Sequence, residues 1–200
     1  MIIGISGKAR AGKDTFADML TENLNNKGYG VFILMAFAHE LKLGVQREFD
    51  LSYAQLWGDK KEAEDKRYPK PSGDGFWTAR EMMQEYGQFF RMIEPDFWVR
   101  KLFNVIEDKE YENVVITDAR HPNEVDAIVE HGGYHIKIVR PDKEQIHNEQ
   151  HISETALEED YKVDIKILND GTLEELRTKS QDVVKTIMSI ESLRKSLKEK

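Results

Sequence analysis

Ile2-Ile3-Gly4-Ile5-Ser6-Gly7-Lys8-Ala9-Arg10-Ala11-Gly12-Lys13-Asp14-Thr15 opens the chain, and the order of residue types in it decides the fold. Ile2 to Ser6 is short, apolar and β-branched, the signature of a buried strand. From Asp14 to Lys27 the residues Phe16, Met19, Leu20 and Leu24 recur on one helical face. Between strand and helix lies a glycine-rich turn. In that setting Gly7, four residues, Gly12 and Lys13 have the spacing of a Walker A phosphate loop.

The chemistry of such a loop follows from its residue types. Glycines let successive amides turn inward onto phosphate oxygens, the helix start adds partial positive charge, and Lys13 bridges the terminal phosphates. Gly7, Arg10, Ala11, Gly12, Lys13, Asp14 and Thr15 are therefore the expected nucleotide-binding residues. Asp14 stands where the general pattern has a serine or threonine to ligate Mg²⁺, and Thr15 follows it. A carboxylate is a hard oxygen donor whose charge is tolerated at a helix N-terminus, so Asp14 and Thr15 are candidate metal ligands.

Working outward, Val31 to Ala36 reads as a second strand and Ala38 to Phe49 as a helix with Leu41, Val45 and Phe49 on one stripe. From Tyr53 to Gly75 the periodicity fades, and Pro69, Pro71, Gly73 and Gly75 predict a mobile excursion without long elements. Thr78 and Glu81 have capping-box spacing, which starts a helix from about Ala79 to Ile93. Another helix follows Pro95 to about Glu107. Val114 to Thr117, His135 to Val139 and Ile165 to Leu168 are further strands, Pro122 to His131 is a helix, and Thr172 with Glu175 opens a long C-terminal one. Strands alternating with helices imply a parallel sheet covered on both faces, with ligands at the strands' carboxyl ends.

Composition narrows the function classes. With 200 residues, one domain with a substantial core is expected. A net charge of -8 argues against a broad nucleic-acid-binding face, although a local basic cluster still holds a small anion because screening acts over about 8 Å. There is no cysteine, which removes disulfides, thiolate metal sites and cysteine chemistry. No signal segment is read before Ser6 and no apolar run approaches the roughly 20 residues of a membrane span, so cytoplasm is the expected compartment and no membrane partner is expected.

Several separated segments together resemble the bacteriophage deoxynucleoside monophosphate kinases and, more distantly, the phosphomevalonate kinases that share a Gly-Lys-Asp loop. Ser6 to Thr15 resembles the family's phosphate loop, including the Gly-Lys-Asp-Thr ending. Arg80 to Gly87 with Gln88, followed by Trp98-Val99, resembles its acceptor segment, which usually reads Gly-Thr where this chain has Gly87-Gln88. Thr117-Asp118-Ala119-Arg120 with Glu124 resembles its central active-site strand end. His151-Ile152-Ser153-Glu154 and Asn169 to Leu176 match two C-terminal signatures. The resemblance implies a P-loop NTPase fold, three-layer α/β/α around a central parallel sheet, like that of the nucleoside monophosphate kinases. It also implies a helical acceptor-binding insertion over about 50–105 and a lid over about 141–157, within a single domain of residues 1–200. The implied chemistry is ATP with Mg²⁺ as co-substrates and a deoxynucleoside monophosphate as acceptor. The host cytoplasm is the location for a phage-encoded protein, and a homodimer is left open.

Phosphoryl transfer spreads charge over peripheral oxygens, so cations and alignment matter more than covalent help. Lys13, Arg120 and Arg140 are the candidate catalytic cations, and Asp118 is either a magnesium-linked ligand or a base, with a structural cap as its bland alternative. Arg80, Gln84, Gly87, Gln88 and Trp98 are the acceptor-binding candidates, joined by Asp118, Arg120 and Glu124. Arg80 carries the motif support for a guanidinium fork on the acceptor phosphate, while Arg91 and Arg100 weigh equally as surface ion pairs. Trp98 reads either as a stacking platform for the acceptor base or as core. His147 and His151 are four apart but lack a third ligand, so no zinc site is expected. The rival functions are a kinase for shikimate, dephospho-coenzyme A or phosphomevalonate, and a non-catalytic nucleotide switch. The switch is disfavoured by the absence of Asn-Lys-x-Asp and Asp-x-x-Gly elements.

Overall fold

A computed structural model describes residues 1–141, 157 and 160–198; residues 142–156 of the expected lid, including His147, His151 and the His151–Glu154 segment, lie outside the described residues. In chain order the elements are β1 (Ile2–Ser6), α1 (Lys13–Asn26), β2 (Ile33–Met35), α2 (Ala38–Phe49), α3 (Tyr53–Leu56), β3 (Glu64–Pro69), β4 (Phe76–Thr78), α4 (Ala79–Ile93) and α5 (Phe97–Asp108). They continue with β5 (Val114–Ala119), α6 (Pro122–Glu130), β6 (Tyr134–Val139), β7 (Ile165–Leu168) and α7 (Leu173–Lys198). The chain divides into two compact units, Met1–Ala36 with Ile106–Lys200, and Phe37–Val105.

The first unit is built on a five-stranded sheet in the order β2-β5-β1-β6-β7, with every pair parallel. β1 lies at its centre because Ile2 to Ser6 is apolar enough to be enclosed on both faces. Ile3 and Ile5 are fully buried and pack with Phe16, Leu20 and Leu24 of α1 and with Val183, Val184 and Ile187 of α7. Gly4 faces the opposite way, where a Cβ would fall 2.2 Å from Ile128 Cδ1 of α6. The central sheet therefore has helices on both sides, as the alternation of elements predicts. Each enclosed aliphatic side chain contributes about 1.5–3 kcal/mol of transfer free energy. Polar contacts also join α1 and α7: buried Asn23 donates from Nδ2 to Ser180 Oγ at 2.8 Å, and Arg177 pairs with Glu22 at 2.9 Å near the surface. No described helix is long and apolar enough to cross a membrane.

The second unit has its own core of Leu41, Val45, Leu51, Leu56, Ala79, Met82 and Trp98. Glycine on each of two helices allows α2 and α4 to approach closely. A Cβ on Gly44 would meet the Tyr86 hydroxyl at 2.6 Å, and one on Gly87 would meet Leu41 Cδ1 at 2.7 Å. The capping box expected at Thr78 is present, with Glu81 N donating to Thr78 Oγ1 and Thr78 N donating to Glu81 Oε2.

The reading of 53–75 as a mobile excursion is corrected. Ser52 and Gln55 form a capping box that starts α3, and β3 pairs antiparallel with β4. Polar contacts organise this segment, which is why hydrophobic periodicity does not reveal it. Arg67 forks onto buried Asp65 from Nε (2.9 Å) and Nη2 (2.6 Å), and Gln55 donates to the same carboxylate at 2.9 Å. Those bonds hold the Asp65 carboxyl well below the usual carboxylate range, the Arg67 hydrogen bond being the largest cause.

Candidate active site

The loop between β1 and α1 has the backbone its glycines permit. Gly7 has φ 146° and Gly12 φ 94°, and between them Arg10 takes a left-handed φ of 60° despite its side chain. Gly7 admits nothing larger, because a Cβ would lie 2.4 Å from the Ile138 carbonyl oxygen of the neighbouring β6. The turn closes with Ala11 N donating to Lys8 O at 3.2 Å and Phe16 N to Gly12 O at 2.9 Å. Gly12 caps α1 without any side-chain hydrogen bond to the first turn, so the helix start is dressed by backbone alone. Such a start, with Gly-rich backbone in front of it, fits an anion.

Lys13 is buried, and its ammonium donates to the carbonyls of Gly7 at 2.7 Å and Lys8 at 2.8 Å. The lysine thus curls back over the loop it belongs to. At the far end buried Asn169 donates from Nδ2 to Ala11 O at 2.9 Å, while its backbone amide donates to Val139 O at 2.7 Å. Where a Gly12 Cβ would stand, Asn169 Nδ2 is 2.4 Å away. Asp14 and Thr15 are exposed on the first turn of α1, presenting hard oxygen donors.

The carboxyl edge of the sheet gathers the other candidates of this unit. Ser6 is in register with Ala119 on β5 and with Lys137 on β6, so Asp118 and Arg120 flank the loop's entry on one side and Arg140, just beyond β6, on the other. Asp118 and Arg120 are half-buried and Arg140 is exposed. Glu124 is only 2% exposed, and its Oε2 accepts the backbone amides of Arg120 (2.7 Å) and His121 (3.1 Å). A carboxylate that accepts two amides inside a capping box fixes the Asp118–His121 turn, a structural role for Glu124 beside the acceptor contact expected of it.

The acceptor candidates Arg80, Gln84, Gly87, Gln88 and Trp98 fall in the second unit, on α4 and α5. Arg80 is ion-paired with Glu62, and Gln84 and Gln88 are half-buried. Trp98 is 4% exposed, surrounded by Tyr86, Phe90 and Phe97, and donates from Nε1 to Gly87 O at 3.1 Å. Its ring is packed as core, the second of the two readings weighed for it; Gly87 is required by the approach of Leu41. Arg100 forks onto Glu94 at 2.8 and 2.6 Å near the surface, the ion-pair alternative weighed for it.

Sequence reasoning missed one buried polar assembly. Ser6 and His135 are each 1% exposed, with His135 Nε2 2.7 Å from Ser6 Oγ and Nδ1 3.1 Å from the carbonyls of Tyr161 and Lys162. Burial pushes the imidazole below its ordinary value. The available signal was a histidine inside the otherwise enclosed strand Tyr134–Val139.

The family model for deoxynucleotide monophosphate kinase matches residues 61–180, and a protein of Acanthamoeba polyphaga mimivirus, provisionally named for that activity, is 31% identical over 88% of this chain and 91% of its own length. The chain belongs to the deoxynucleotide monophosphate kinase family. The enzyme of Enterobacteria phage T4 so named is 32% identical over 56% of this chain and 47% of its own. Among solved structures, Aquifex aeolicus shikimate kinase aligns over 97% of this chain and 98% of its own with a TM-score of 0.44 at 18% identity. Campylobacter jejuni dephospho-CoA kinase aligns over 93% and 96% with a TM-score of 0.48 at 14% identity. As a member of this family the chain is a phosphotransferase.

Proposed function

We propose that this enzyme transfers the γ-phosphoryl group of ATP to a deoxynucleoside monophosphate, giving the diphosphate and ADP. The observation that carries the reading is the loop Gly7–Lys13, whose two left-handed glycines, backbone-capped helix start and inward-curled lysine suit a triphosphate, in a chain of this family.

The loop amides and the start of α1 hold the phosphate chain. Lys13 exchanges its carbonyl partners for terminal phosphate oxygens, and Arg120 and Arg140 add charge where the transferring group gathers it. Magnesium, which neutralises phosphate oxygens when bound, would be held by Asp14, Thr15 and Asp118, a set of hard oxygen donors that fits it. The acceptor is a phosphate monoester, largely ionised at neutral pH because its second pKa is about 6, so no strong base is required. Asp118 then serves alignment. Arg80 takes the acceptor phosphate in place of Glu62, with Gln84 and Gln88 beside it, while Trp98 and Gly87 act by fixing α4.

Coupled ADP release with dTMP, dGMP, dCMP, dAMP and the ribonucleotides at equal concentration tests the reading. At least one deoxynucleotide should outpace its ribonucleotide counterpart. Equal turnover throughout removes the sugar selectivity, and turnover confined to shikimate, dephospho-coenzyme A or phosphomevalonate replaces the acceptor class.

A further inference from the structure

We infer that His135 is a positioning residue for the nucleotide-binding loop, acting through the hydroxyl of Ser6, the residue that leads into Gly7. The inference rests on the proposal that this loop binds ATP.

The proton arrangement follows from the partners. Nδ1 of His135 faces two carbonyl oxygens, those of Tyr161 and Lys162, each at 3.1 Å. A carbonyl only accepts, so Nδ1 carries the ring hydrogen. Nε2 is then the acceptor, and the Ser6 hydroxyl 2.7 Å away donates to it. This fixes the rotamer of Ser6 in a site from which water is excluded, since both residues are 1% exposed. Ser6 is also the last β1 residue before backbone that only glycine adopts, and its register shifts against β5 between Gly4 and Ser6. The ladder is thus irregular just where the loop departs, and the side-chain bond supplies a tether there.

The imidazole is itself anchored. Its backbone amide donates to Asp164 Oδ2 at 2.8 Å. The turn supplying the two carbonyls has left-handed φ at Asp160 (61°) and Lys162 (46°), and Asp126 of α6 holds it by accepting from the Tyr161 hydroxyl at 2.9 Å and from the Lys162 ammonium. A strained turn braced by an ion pair presents two acceptors to Nδ1, and this leaves Nε2 one hydrogen-bonding role. The imidazole bonds to the strand that leads into the loop at Ser6, so the effect on ATP passes through Ser6.

Amide isosteres separate this role from plain structural support. Glutamine places a polar atom near Nε2 and keeps an acceptor for Ser6, whereas asparagine places one near Nδ1 and keeps only the bond to the 161–162 carbonyls. Steady-state kinetics and ATP affinity by calorimetry would be measured on the full chain, with thermal midpoints alongside. Ser6→Ala and His135→Asn should each raise the KM for ATP by about five- to tenfold with kcat within about twofold, as expected for a lost buried hydrogen bond that orients a binding loop. His135→Gln should recover most of the affinity, and Ser6→Ala/His135→Asn should be no worse than either single variant. Wild-type protein that binds no ATP would defeat the functional reading itself. Wild-type binding with an unchanged ATP KM in Ser6→Ala, or His135→Gln as impaired as His135→Asn, would overturn the positioning role alone.

Discussion

The side-chain amide of Asn169 donates to the carbonyl of Ala11 at 2.9 Å across 158 residues of sequence. The start of the last loop after the sheet thereby holds the end of the first. The same nitrogen fills the space where a Gly12 Cβ would stand. Gly12→Ala is expected to lower ATP affinity at least about tenfold, since it adds both a clash and left-handed strain. Asn169→Ala, which loses the bond to Ala11 but adds neither clash nor strain, should weaken ATP binding less than Gly12→Ala by calorimetric titration.

Lys13→Ala removes the ammonium that now bonds the Gly7 and Lys8 carbonyls. Transfer should fall by at least about a hundredfold, because the lost charge acts on the transition state. An unchanged far-UV spectrum would show that the loss is chemical. Retention of more than a tenth of the activity would count against Lys13 as a catalytic cation.

Trp98→Ala tests core against ligand contact. Opening the space among Tyr86, Phe90 and Phe97 should cost about 3–5 kcal/mol by urea denaturation. Trp98→Phe, which keeps the packing and loses the bond to Gly87 O, should leave the acceptor KM within about twofold. A rise in acceptor KM with unchanged stability would restore the stacking role.

Asp65 makes stability depend on acidity in the second unit. Its carboxyl titrates below its unfolded value of about 3.9, so the native state resists the proton. Its contribution is complete above that value and is lost as the pH falls beneath it, because the unfolded chain then binds the proton more readily. Asp65→Asn should lower the urea midpoint by about 0.5 M at pH 6, and the gap should close below about pH 4. The exposure of Arg67, half in solvent, keeps the effect modest.

How legible all this is in the sequence depends on which force organises each part. Ala38–Phe49, Ala79–Ile93 and Ile165–Leu168 are readable to the residue because apolar spacing and capping boxes act locally. β3 is not, since Glu-Asp-Lys-Arg-Tyr-Pro is held by the Asp65–Arg67 fork and carries no alternating apolar face. The phosphate loop is plain from Gly7, Gly12 and Lys13. Glu124 and Trp98 stand in the motif segments, yet the contacts they make here are with backbone amides and with packed rings, because a motif shows that a residue matters without showing whether it touches ligand or backbone. The Ser6–His135 bond is invisible to periodicity, as its partners are 129 residues apart and join only when β1 and β6 pair.

The strand carrying the nucleotide loop sits mid-sheet, yet the buried bonds that His135 makes to Ser6 and Asn169 makes to Ala11 come from much later in the chain. A nascent chain emerging from the ribosome therefore holds the binding motif long before it holds the means to shape it, and parallel pairings of such sequence separation form slowly. Tight ATP capture should appear only once β7 has docked, so triphosphate affinity during refolding serves as a clock for completion of the sheet rather than for synthesis of the motif.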